Sequence, residues 1–93
     1  MALANIVHGR EQAVVATFNT QMARQLSSAK LARDWGLYEL VFGRYLGHGQ
    51  PVTVSLPPLT VVRVPLKMAR RPGEFRISYQ PDGRVAGLYF LRS

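Results

Sequence analysis

The chain has 93 residues, twelve Lys and Arg against five Asp and Glu, no cysteine, and 47% hydrophobic residues. That length holds one domain with a thin core, and the balance of apolar to charged residues is that of a folded chain rather than a disordered one. The missing thiol excludes disulfides, thiolate metal ligands and a cysteine nucleophile. No apolar run reaches the ~20 residues of a membrane helix, and the first residues lack a secretory pattern. A single cytoplasmic domain over 1–93 is therefore expected.

The first half of the chain carries the three-and-four spacing of helices. Val15, Phe18, Met22 and Leu26 fall on one stripe, which predicts a first helix. Ser27 or Ser28 is placed to cap a second, whose stripe is Leu31, Trp35, Tyr38, Phe42 and Tyr45, broadened by Leu37 and Val41. Gly36 lies inside this helix and costs about 1 kcal/mol relative to Ala unless a neighbour packs closely there. Gly43, Gly47 and Gly49 end it.

From Val52 the period becomes two. Val52, Val54 and Leu56 alternate until Pro57-Pro58, and then Val62, Val64, Leu66 and Met68 form the apolar side of a strand. Pro65 cannot donate to a ladder, so that strand lies at an edge or carries a bulge nearby. Phe75, Ile77 and Tyr79 repeat the alternation, and Gln80-Pro81-Asp82-Gly83 is a turn. The run Val85 to Leu91 is apolar on both faces, which predicts a central, doubly covered strand. The expected fold is α+β, with two N-terminal helices packed on an antiparallel sheet of about four strands. A chain this short covers the second sheet face most economically with a copy of itself, so a homodimer through the sheet face is expected.

The succession Phe18-Asn19, Met22, Leu26, Leu31, Trp35 and Gly43, then Phe75-Arg76-Ile77-Ser78-Tyr79 and Pro81-Asp82-Gly83-Arg84-Val85-Ala86-Gly87-Leu88, resembles the domain of unknown function 3887 family. The resemblance extends from Ile6 to Phe90, and its most specific part is the closing Asp-Gly hairpin together with the single helical Trp. That family is similar to the nuclear transport factor two-like superfamily. The resemblance implies a cone of helices on a curved antiparallel sheet, often dimeric and often with an internal pocket, and brings no catalytic residues with it.

Few residues suggest chemistry directly. Ser27 and Lys30 match the Ser-x-x-Lys spacing of penicillin-recognising enzymes, but the companion motifs of those enzymes are missing and a helix cap explains the serine. His48, between two glycines, is a candidate general acid or base without an obvious carboxylate partner, and Asp34 and Tyr38 are the other catalytic candidates. Two distant histidines and scattered acids do not predict a metal site, and no phosphate-cradling loop or cofactor motif is present. The apolar set Trp35, Tyr38, Phe42, Val62, Val64, Phe75, Ile77 and Phe90 is either core or the lining of a pocket for an apolar small molecule.

The +7 charge is uneven, with net +2 over residues 1–50 and +5 over 51–93. Arg63, Lys67, Arg70, Arg71 and Arg76 are the candidate polyanion contacts. They are spread singly rather than gathered with aromatics, so a solvated basic surface is expected rather than a nucleic-acid site. The functional expectation is a non-catalytic ligand-binding or accessory interaction module. The alternatives are a small cofactor-free isomerase or cyclase and a weak polyanion binder.

Overall fold

A computed structural model describes residues 2–93. The helices α1 (Ala2–Val7), α2 (Glu11–Val15), α3 (Thr20–Gln25) and α4 (Ser28–Phe42) precede the strands β1 (Tyr45–His48), β2 (Val52–Leu56), β3 (Leu59–Met68), β4 (Gly73–Tyr79) and β5 (Val85–Arg92). Every strand pair is antiparallel and the sheet is open. This is the expected α+β class with N-terminal helices, now with four helices and five strands.

The predicted first helix is broken. Phe18 leaves helical geometry to form a parallel bridge with Val85, held by Asn19 N–H to the Val85 carbonyl and Val85 N–H to the Thr17 carbonyl, both at 2.9 Å. The cause is local competition from short polar side chains, which bond to nearby backbone and favour caps over helix interiors. Thr17 Oγ1 donates back to the Val14 carbonyl, and Asn19 Oδ1 accepts from Met22 N–H to start α3 afresh. Phe18 is nonetheless buried, so the apolar spacing identified a core residue while misplacing the element that carries it.

The second helix forms from Ser28 to Phe42, but Tyr45, expected on its stripe, instead opens β1, because Gly43 stops the helix first. Ser27 Oγ accepts from Lys30 N–H at 3.2 Å, which makes the Ser-x-x-Lys match a cap. Gly43 stops α4 with φ +89°, and a Cβ there would meet Arg70 N at 2.7 Å, so both backbone angle and close approach require glycine. Leu31, Trp35 and Tyr38 face the core. Leu37 and Val41, expected to broaden that face, are each 54% exposed because they project beside the sheet rather than over it.

β3 is the spine of the sheet. β4 pairs along one side of it, whereas β1 and β2 share the other, β1 opposite Leu66–Met68 and β2 opposite Leu59–Arg63. Pro65 falls at the junction between them. Its carbonyl accepts from Gly49 N–H, and since N and O of one strand residue point the same way, its missing donor faces the gap. Thus a proline is tolerated inside a central strand.

β5 corrects the sequence reading, for it is an edge strand and not a central one. Its apolar residues divide between faces: Leu88 and Phe90 look inward, while Tyr89 is 53% exposed. A register shift at Ser78/Tyr79 brings Val85 opposite Tyr79 and into the core with the even-numbered positions. The core joins Leu3, Ile6, Val14, Phe18 and the α4 stripe to Val64, Leu66, Met68, Phe75, Ile77 and Leu88. The smallest extent of the molecule, 17 Å, is that of one helical layer on one sheet, so the outer sheet face carries no second layer.

Candidate functional site

Two consequences of this architecture meet where α4 runs beside β5. Asp34, Leu37 and Val41 recur at three and four along one side of α4 and form a wall. Leu88, Phe90 and Leu91 of β5 form the other, with Tyr38 and Phe42 between them. The resulting groove has a volume of about 410 Å³ and a mostly apolar lining.

The β5 wall is also an unpaired strand edge. Pro65 shows which way β3 points its polar groups, and alternation across β4 then turns the N–H and C=O of Leu88 and Phe90 away from the ladder. Beyond the Phe18 bridge at Val85, these groups have no backbone partner among the described residues. An edge of this kind is a template for another strand.

Tyr38 fixes the groove floor. Its hydroxyl donates to the Leu91 carbonyl at 2.6 Å and accepts from Glu74 N–H at 3.2 Å, which inserts the phenol oxygen between β4 and β5. A Cβ on Gly73 would collide with that oxygen. Burial raises the Tyr38 pKa above 10.0; the Glu74 N–H bond opposes the shift and the nearby Glu74 charge adds to it. The hydroxyl is therefore a structural clip, protonated at neutral pH and engaged on both sides.

The other catalytic candidates do not join it. Asp34 lies on the groove wall, 4.0 Å from Arg33 Nε, whereas His48 ends β1, with Nδ1 2.7 Å from the Gly49 carbonyl. β1 and β5 are three strand spacings apart, roughly 14 Å. No group of three or more His, Asp or Glu suited to a metal ion occurs among the described residues.

The apolar set is brought together. Tyr38 stacks on Phe42 at 4.2 Å between centroids, and Phe90 lies 5.3 Å from Trp35, 5.5 Å from Tyr38 and 5.8 Å from Phe75. Val64, Phe75 and Ile77 are buried among these rings and Val62 packs against them. Of this set only Tyr38, Phe42 and Phe90 reach the groove.

The five candidate cations separate. Arg63 and Arg76 converge on Glu74 on the outer sheet face, with Nη2 distances of 3.0 and 2.6 Å. Arg70 Nη1 donates to the Leu40 carbonyl at the end of α4, Arg71 lies 5.5 Å from the Phe42 ring centroid, and Lys67 is exposed on β3. The groove itself was missed from sequence because Leu37 and Val41 fit the helical core stripe. The signal for it was an apolar arc on α4 too wide for one buried face. No helix among the described residues is long and apolar enough to cross a membrane. No family model, curated protein or solved structure matches the chain.

Proposed function

We propose that this protein is a non-catalytic interaction module that pairs with a second copy of itself along β5. The observation that carries the reading is a single flank in which an unpaired strand edge adjoins the exposed apolar stripe of α4. Antiparallel pairing of two β5 strands about a two-fold axis at Phe90 sets Leu88 opposite Arg92 of the second copy. Asp34 shares the groove with Leu88, so each end of the interface joins a carboxylate to a guanidinium. Leu37 and Val41 are then covered by their own counterparts. An edge contact suits this chain better than the expected contact through the sheet face, where the Arg63 and Arg76 pair would meet its own copy with like charge. The resemblance of the closing hairpin to an often dimeric family without shared catalytic residues points the same way.

Sedimentation equilibrium tests this. The native chain is expected at twice 10.4 kDa, and Leu37→Glu or Val41→Glu at the monomer mass. Asp34→Arg should weaken the dimer, and adding Arg92→Asp should restore it. A native chain that remains monomeric at high micromolar concentration refutes the reading.

A further inference from the structure

The outer sheet face, opposite the helices, carries an apolar trough of about 390 Å³ that meets the groove at Tyr89. Cross-strand register builds it. Val54, Val61 and Ser78 lie in one row with Gly87, and the next row sets Arg63 beside Arg76 and Tyr89. Gly87 has no side chain, and the Tyr89 ring occupies the space above it, 3.1 Å from where a Cβ would stand. Tyr89 thereby walls one side of the trough, and Leu56 and Leu59 close the far end.

The charges at the near end are incomplete. Two guanidiniums directly opposite on neighbouring strands repel unless they share an anion. Glu74 is that anion, receiving Arg63 through Nε and Nη2 and Arg76 through Nε and Nη2. One carboxylate between two guanidiniums leaves a net single positive charge. The Nη1 group of each arginine has no partner among the described residues. The arginine side chains remain 49% and 37% exposed, while Glu74 is 13% exposed beneath them. The site thus offers bidentate donors for one further anionic group at the end of an apolar channel, within the ~300–1,000 Å³ range of small-molecule sites. A purely polar polyanion leaves the channel unused, and a neutral lipid leaves the guanidiniums unused.

We propose that the outer face binds an amphiphilic monoanion, an alkyl or aryl carboxylate, with its carboxylate on the Nη1 groups of Arg63 and Arg76 and its apolar part along Val54, Val61, Leu56 and Leu59. The site does not require β5 pairing, although Tyr89 lines both the groove and the trough, and it goes beyond the module reading.

Isothermal titration of the full chain with decanoate, butyrate, 1-decanol and inorganic phosphate tests it. Decanoate is expected to bind, with butyrate and decanol each at least about tenfold weaker, since head and tail both contribute. Arg76→Gln and Arg63→Gln should each weaken decanoate about tenfold. Glu74→Gln should strengthen it, because the ligand carboxylate no longer shares its donors. Leu37→Glu should leave it unchanged, so failure of self-pairing and failure of this site are told apart. The proposal is overturned if both arginine variants bind decanoate as the native chain does, if Glu74→Gln binds it more weakly, or if phosphate binds as tightly as decanoate. Backbone NMR shifts at Val54 and Val61 that grow with protein concentration alone would also overturn it, by showing that a second copy covers the face.

Discussion

The Tyr38 hydroxyl stands where a direct Glu74 N–H to Leu91 carbonyl bond would otherwise close the ladder, and Gly73 lacks a side chain because that oxygen fills its place. Tyr38→Phe leaves two backbone groups without their partner and should cost about 1–2 kcal/mol. Gly73→Ala should cost about 1–3 kcal/mol by overpacking. The double variant should cost clearly less than the sum, since removing the oxygen makes room for the methyl group, and denaturant titration of the four proteins reads the difference. Additive penalties would show that the two do not touch. Glu74 provides a second prediction. Bonding to Arg63 first, then Arg76, holds its carboxyl below the ordinary 4.5, against an opposing contribution from burial. Folding therefore favours the ionised form, and the resulting stability is complete above pH 4.5 and lost as pH falls through the lower folded value. The melting temperature of the native chain should drop more steeply on acidification in that window than that of Glu74→Gln.

At the scale of elements, what could be read in advance depended on whether one local signal acted alone. α4 has an N-cap, an apolar repeat and a terminating glycine that agree, and it forms from Ser28 to Phe42, while Tyr45, which continues the repeat beyond Gly43, goes to β1. The alternation in β3 and β4 likewise assigns the inward residues correctly. The segment around Phe18 carries two conflicting signals, and the cap at Asn19 prevailed because it satisfies the start of α3 and reaches Gln80 Oε1 at 3.0 Å as well. Strand order lies beyond local signals altogether. β5 reads as central from its two apolar faces, yet one of those faces is Tyr89 shielding Gly87, and an edge strand serves that purpose equally well. The groove was illegible for the same reason, since it exists only once α4 and β5 are adjacent. Gly36, by contrast, has open space around it and an ordinary helical backbone. Gly36→Ala should therefore stabilise the chain by about 0.5–1 kcal/mol, visible as a higher denaturation midpoint. A loss of stability there would mean that α4 is covered on that side.

For the molecule as a whole, the basic excess does not form one field. Some arginines bind backbone carbonyls, as Arg70 does at Leu40 and Arg84 at Ala16, and two are drawn onto Glu74. What remains is dispersed charge that favours solubility. The division of the β3 flank between β1 and β2 has a larger consequence. That side of the sheet presents two short pieces of four and five residues, offset by a register irregularity at Tyr45/Gly47 and parted at Pro65. The opposite side presents a single strand of eight, occupied only at its first residue by the Phe18 bridge among the described residues. A sheet with two good edges can add copies without end and grow into a fibre, whereas a sheet with one can add a single copy and is then spent. Cross-linking at rising concentration should accordingly yield a second band and no ladder above it, the broken flank acting as a chain terminator built into the fold.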